Sequence, residues 1–250
     1  MRHWALKRGR AALFEDTGLG KTFQEATWAN EVYKHTGQNV LILAPLCVAL
    51  QTVEEAAKIG IVIKYCRSQD EVEQGITISN YEMAEHFEHE TFIGVALDES
   101  DIIKNYTGKT RDNLIRWFRD TPYKLSCTAT PSPNDHIELG NQAEFLGVMS
   151  AQEMLATFFT HDGGDTSKWR LKGHGKVRFW EWMATWSICI RTPADLGFDG
   201  SRYDLPPLNI TDHVVSGGDL LEGQLFAVTE QSLSERREAK RNSLGDRVAL

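Results

Sequence analysis

Leu13-Phe-Glu-Asp-Thr-Gly-Leu-Gly-Lys-Thr22 sets two glycines just ahead of a lysine and a hydroxyl side chain, at the end of a short apolar run. Residues of these types in this order suit a polyphosphate. Glycines let backbone amides converge on phosphate oxygens, and a helix opening at the lysine adds the positive end of its dipole. Lys21 would reach the β and γ phosphates, and the Thr22 hydroxyl would ligate magnesium. Thr17, Gly18, Leu19, Gly20, Lys21 and Thr22 are therefore the expected nucleotide-binding residues. The stretch departs from the pattern GxxxxGK[ST] where Glu15 stands in place of the first glycine. Taken singly, it also fits a glycine-rich turn capping an ordinary helix.

Phe92-Ile-Gly-Val-Ala-Leu-Asp-Glu-Ser-Asp101 is a hydrophobic strand running into an acidic pair. Asp98 at the strand's end suits magnesium, and Glu99 beside it suits orienting and deprotonating a water. An acidic pair after a strand is usually a solvated loop start. Here it follows a phosphate loop in the right order, and each motif has its own strand. Nucleotide hydrolysis becomes the leading expectation, with Mg2+ as a cofactor, Lys21, Asp98 and Glu99 as catalytic residues, and Thr22 and Asp98 as metal ligands.

The elements that must carry these residues alternate along the chain. Short apolar runs at Ala11–Phe14, Val40–Leu43, Ile61–Tyr65, Gly75–Ile78, Phe92–Leu97 and Tyr123–Ser126 read as strands buried on both faces. Thr22–Thr36, Val48–Ile59, Tyr81–Glu88, Thr110–Phe118 and His136–Leu146 read as helices. The pattern is that of an α/β domain with a parallel sheet flanked by helices. Three regions are expected: 1–149 carrying the motifs, a mostly helical insertion or brace over 150–212, and 213–250 as a linker or the start of a further domain. Leu205-Pro-Pro-Leu208 interrupts regular structure, and Leu220–Leu250 returns to a charged helical pattern.

Further segments resemble superfamily 2 DNA helicases and translocases, in the Swi/Snf-like, phage-type branch of the DEAD/DEAH-box proteins. Asp16-Thr-Gly-Leu-Gly-Lys-Thr22 looks like motif I of that branch, and Leu41-Ile-Leu-Ala-Pro-Leu46 resembles motif Ia. Asp98-Glu-Ser-Asp101 followed by Ile103-Lys-Asn105 is similar to a DEAH-type motif II. Ile76-Thr-Ile-Ser-Asn-Tyr-Glu82 is similar to a strand-to-TYE segment. Leu125-Ser-Cys-Thr-Ala-Thr-Pro131, with Asn134 and Glu138-Leu139, resembles motif III and the helix after it. The resemblance covers about positions 10 to 148. It implies a RecA-like P-loop fold, magnesium-dependent ATP hydrolysis and movement along DNA, duplex or single-stranded. It also implies that Thr128 and Thr130 couple the nucleotide to that movement, and that Pro45, Ser79, Asn80 and Tyr81 lie on the nucleic-acid track. The family's adenine-reading glutamine has no counterpart ahead of the loop, since Gln24 and Gln38 lie after it. Arginine fingers belong to a second RecA-like domain, expected downstream of a sequence that reads as interrupted. The chain by itself is expected to bind ATP better than it hydrolyses it.

Other signals are weaker. Lys168, Arg170 and Lys172 lie in an aromatic and basic stretch that suits base stacking and phosphate contact, so they join the nucleic-acid set. Trp180, Trp182 and Trp186 read as core at helical spacing. His86 and His89 sit on a face rich in glutamate and read as solvated, with a metal as the rival reading; His161, Asp162 and Asp165 read as a loop. Hydrophobic residues at 41% and charged residues at 25% describe a globular chain. The net charge of −8 excludes a wholly basic nucleic-acid-coating surface, though not a local groove. Four scattered cysteines give no zinc or disulfide pattern. No apolar run nears the roughly 20 residues needed to span a bilayer, so no membrane partner is expected and the setting is the cytoplasm of a bacterial or phage-infected cell. Two rivals stand beside the motor reading: another P-loop ATPase or kinase acting on a small molecule or protein, and a nucleotide-gated binding module without turnover.

Overall fold

The computed structural model describes residues 1–162 and 165–203, with 206, 208–211, 237, 241 and 244 beyond them, and gives only the backbone at 162 and 165–168. Met1–Tyr203 is one compact unit, and Asp204–Leu250 is a second that falls almost wholly outside the described residues. Apart from Arg237, Arg241 and Leu244, which are helical, the helical pattern expected over Leu220–Leu250 lies outside them, as do the side chains of Asp162, Asp165 and Lys168.

In chain order the first unit runs α1 (Arg2–Arg8), β1 (Arg10–Glu15), α2 (Lys21–Thr36), β2 (Asn39–Ala44), α3 (Leu46–Lys58), β3 (Ile63–Tyr65), β4 (Ile76–Asn80), β5 (Phe92–Asp98), α4 (Lys109–Trp117) and β6 (Tyr123–Thr128). It continues with α5 (Leu139–Leu146), α6 (Ala151–Phe158), β7 (Phe159–Asp162), β8 (Asp165–Leu171), α7 (Lys176–Trp186) and β9 (Ser187–Ile190). Seven strands form one sheet in the order β3-β4-β2-β5-β6-β1-β9, and every pairing is parallel. The central strands are near-continuous apolar runs because helices cover both faces. Leu13, Val40, Ile42, Ala96, Leu125 and Cys127 join α1, α2 and α3 in one buried layer. Phe14, Leu41, Leu43, Val95 and Leu97 join α4, α5, α6 and α7 in the other.

Parallel strands place all their carboxyl ends on one edge, and the ends of β1, β5 and β6 are neighbours there, with Phe14 opposite Thr128 and Asp98 opposite Cys127. That edge carries the segments that end β1, β2, β4, β5 and β6, while the basic stretch at 168–172 lies on the separate β7–β8 hairpin. The core is the RecA-like α/β arrangement that the sequence implied.

Several elements differ from the sequence reading. The strand expected at Ile61–Tyr65 begins only at Ile63, and the helix expected at Tyr81–Glu88 is a tighter 3-10 segment, Tyr81–His86. Three elements had no foreseen counterpart: α1, the antiparallel hairpin β7–β8, and β9. β9 is only Ser-Ile-Cys-Ile, too short for a periodic signal, yet it returns the chain to the sheet beside β1. No helix among the described residues is long and apolar enough to cross a membrane.

Candidate nucleotide site

The loop between β1 and α2 turns on Gly18 and Gly20, whose φ values of 80° and 81° lie in the left-handed region that glycine adopts without a Cβ penalty. Glu15, at the position where the general pattern has glycine, is the last residue of β1 and fully buried. No left-handed backbone is required of it. Its carboxylate instead accepts a hydrogen bond from Gln24 Nε2 at 2.7 Å, tying the loop's start to the first turn of α2. Burial pushes the Glu15 carboxyl above its ordinary range, against the pull of Gln24 and Lys21. The backbone N–H of Asp16 donates to Ile190 O at 3.0 Å, so the unforeseen β9 steadies the loop from outside.

Lys21 opens α2, and its ammonium donates to Glu15 O at 2.8 Å and Asp16 O at 3.2 Å. It is thereby folded onto the loop, at the helix N-terminus where an anion is favoured. Thr22 follows, half-buried. Thr17 N–H donates to Asp16 Oδ1 at 2.7 Å, and Thr17, Gly18, Leu19 and Gly20 form the rest of the turn. A cleft of about 390 Å³ opens beside the same helical turn, lined by Met1, Arg2, His3, Phe23, Gln24 and Thr27.

Asp98 ends β5 on the α2 side of the sheet, because side chains two apart on a strand share a face and Ala96 belongs to that layer. Burial, and then the neighbouring Glu99 carboxylate, push its carboxyl up to about 6. Two contacts fix it: Glu99 N–H donates to Asp98 Oδ1 at 3.0 Å, and Tyr81 Oη donates to Asp98 O at 2.6 Å. Glu99 itself has φ 48° and ψ 53°. Thr128 Oγ1 donates to Glu99 Oε2 at 3.4 Å and accepts from Thr130 N–H at 3.1 Å. Thr130 thus enters through its backbone. The structure brings Lys21, Thr22, Asp98, Glu99 and Thr128 to one edge, with hard oxygen donors of the kind magnesium takes.

Sequence reasoning missed the layer behind this edge. Gln142 Nε2 on α5 donates to Ser100 O at 2.9 Å, and Asn141 Nδ2 donates to Ile103 O and Lys104 O, both at 2.9 Å. Arg111 donates to Asn141 Oδ1 at 3.1 Å and pairs with Glu144. Together these clamp the turn after Glu99. The only signal for them is that α5 carries buried amides where a core helix would carry apolar residues.

The residues assigned to nucleic acid fare unevenly. Pro45 is half-buried at the N-cap of α3. Ser79, Asn80 and Tyr81 are buried: Ser79 Oγ donates to Cys66 O at 2.6 Å, Asn80 Nδ2 to Glu82 Oε2 at 2.6 Å, and Tyr81 as above. They shape the loop from inside. Arg170 is exposed on β8, and the side chain of Lys168 lies outside the described residues. Lys172 Nζ donates to Ala156 O at 2.8 Å and Thr157 O at 2.9 Å, which makes it a cap on the C-terminal carbonyls of α6. Trp186 is fully buried and Trp182 packs against the core, whereas Trp180 is 41% exposed. His89 is not on a solvated face: it is buried, stacked on Trp117 at 4.5 Å, and bonded through Nε2 to Ala84 O.

No protein-family model matches the chain, and no curated protein sequence does. Among solved structures it is similar to the SWI2/SNF2 ATPase core of Sulfolobus solfataricus in complex with dsDNA, at 19% identity and a TM-score of 0.63, over 76% of this chain and 42% of that one. It is also similar to a second structure of the SWI2/SNF2 ATPase core domain from that organism, at 21% identity and a TM-score of 0.60, over 82% of this chain and 43% of that one. At such identity the likeness is one of fold, the RecA-like core. The chain spans less than half the length of those cores.

Proposed function

We propose that the chain is the first, nucleotide-binding domain of an ATP-dependent DNA helicase or translocase. The observation that carries this reading is the convergence of the Lys21–Thr22 loop with Asp98, Glu99 and Thr128 on one sheet edge, two of them linked directly through Thr128 and Glu99. The loop amides and Lys21 take the phosphates, the ammonium leaving the Glu15 and Asp16 carbonyls as they bind. The cleft at Phe23, Gln24 and Thr27 takes the base. Thr22 and Asp98 would hold magnesium, which when bound would supply charge neutralisation at the phosphates. Glu99 orients and deprotonates the attacking water, and Thr128 with Thr130 passes its position to β6 and the turn beyond. A second RecA-like domain supplies the arginine that completes turnover, and DNA is the track, met through the exposed Arg170.

The test is nucleotide binding and DNA-stimulated hydrolysis. Lys21→Ala abolishes measurable ATP binding, and duplex or single-stranded DNA raises the rate of hydrolysis by the intact motor. ATP binding that survives Lys21→Ala overturns the phosphate-loop assignment. Binding that depends on Lys21, with hydrolysis indifferent to DNA, leaves a nucleotide-gated module instead of a motor.

A further inference from the structure

Glu25 lies one turn into α2, on the helix whose Ala26, Trp28, Ala29 and Val32 are buried in the layer against the sheet. It is fully buried, and neither of its carboxylate oxygens has a hydrogen-bond partner. The nucleotide chemistry described above makes no use of it. An unpartnered carboxyl in an apolar layer is costly, because burial strips its water and returns nothing.

Its surroundings point to what offsets that cost. Glu25 follows Thr22 by three residues, so both occupy one face of α2. Strand alternation sends Asp98 into the same layer from the sheet side. The three carboxyls of Glu25, Asp98 and Glu99 lie near enough to repel one another, and after burial the nearby Asp98 and Glu99 are the causes that drive the Glu25 carboxyl upward. They do not form a direct cage: among the described residues no group of three His, Cys, Asp or Glu is placed to ligate one ion. Magnesium keeps several waters in such sites, and those waters need acceptors behind them.

We propose that Glu25 is a positioning residue of the magnesium site, its buried and unpartnered carboxylate accepting hydrogen bonds from the waters of an ion that Thr22 and Asp98 hold. The inference rests on the nucleotide-site reading. It makes this acidic residue of α2 part of the metal's outer shell, and explains why a core-facing helix position carries a carboxylate.

The test uses the full chain and a fluorescent ADP, comparing affinity in magnesium with affinity in EDTA, so no turnover is needed. Glu25→Gln and Glu25→Met, both close in size to glutamate, lower the magnesium-dependent gain by about tenfold, the loss usual when an outer-shell partner of a metal is removed. Affinity in EDTA is unchanged in both. Asp98→Asn lowers the gain at least as far, and Lys21→Ala lowers affinity in EDTA. A purely structural Glu25 predicts the opposite: a full magnesium gain in Glu25→Gln and Glu25→Met, and that outcome overturns the inference while leaving the Asp98 and Lys21 effects standing. If Asp98→Asn also keeps the full gain, magnesium is not held here and both readings fall. If Lys21→Ala alone has no effect, the phosphate loop is at fault.

Discussion

Glu99 holds its carboxylate from a left-handed backbone, the one non-glycine residue so placed among the described residues. Such a conformation costs about 1–3 kcal/mol and persists where surrounding contacts over-determine it. Those contacts are Thr128 at the side chain and the Asn141 and Gln142 amides at the turn that follows. Glu99→Gln keeps the backbone and loses the base. It is expected to leave ATP affinity within about twofold while single-turnover hydrolysis falls at least about 100-fold, the scale of a positioned proton acceptor; equal hydrolysis by the variant would remove Glu99 from the chemistry. At this scale the sequence was most legible where backbone geometry and residue type are local to one turn. Lys21, Thr22, Asp98 and Glu99 could be read as a set from their spacing to strands. Glu25 could not, because its meaning depends on a strand some 70 residues away, and along the sequence it looks like any helical glutamate. Glu15 stands out in the sequence for the glycine it replaces, and only the fold shows that the strand extends through it.

Helices α5 and α6 both end on a lysine ammonium reached from a distant element. Lys124 on β6 is fully buried and donates to Phe145 O at 2.9 Å and Arg119 O at 3.3 Å, and Lys172 caps α6. A cation there meets the negative end of the helix dipole and the last unpaired carbonyls. Burial, and then the nearby Arg10, bring the Lys124 amine down to about 7 from its ordinary 10.5. The sign follows from the protons held. Between about 7 and 10.5 the unfolded chain keeps a proton that the native Lys124 has shed, so stability rises with pH across that window, and the cost is fully present below it. Lys124→Met is expected to flatten the rise in urea midpoint between pH 7 and 9; parallel slopes for variant and parent would refute the assignment. Lys172→Met is expected to lower stability by about 1 kcal/mol through the lost cap, seen as an earlier urea midpoint, and a variant as stable as the parent would return Lys172 to the free basic surface that its sequence setting suggested. Apolar strands and long helices were readable because periodicity is a property of the segment alone. Caps supplied from another element are not, and for that reason Lys172 looked like a phosphate contact.

The whole unit is held by a return of the chain that no motif announces. After the hairpin and α7, β9 lies against β1 over four residue pairs from Ala12–Ser187 to Glu15–Ile190. Trp186, just before it, is fully buried with its ring edge on Phe14 at a centroid distance of 6.0 Å. The strand that leads into the Gly18–Gly20 turn is therefore flanked by β6 on one side and by β9 on the other, and the turn's Asp16 N–H is satisfied by Ile190 O. A boundary near 149 keeps the segments at Lys21, Asp98 and Thr128 and strips this support, leaving β1 as an edge strand and Phe14 without Trp186, while α4 and α5 still cover that face. The expected consequence is that residues 1–203 unfold in one cooperative urea transition and bind ADP, whereas residues 1–149 show a broadened transition and at least about tenfold weaker binding, since an unsupported loop must be ordered by its ligand and the population of competent states divides the affinity. Trp186→Ala in the full chain separates packing from chain length: it is expected to cost about 3–5 kcal/mol of stability, as for other buried aromatic truncations, and to weaken ADP binding in the same direction. Should residues 1–149 match 1–203 in both cooperativity and ADP affinity, β9 and α7 would be an appendage to the RecA-like core instead of part of its frame.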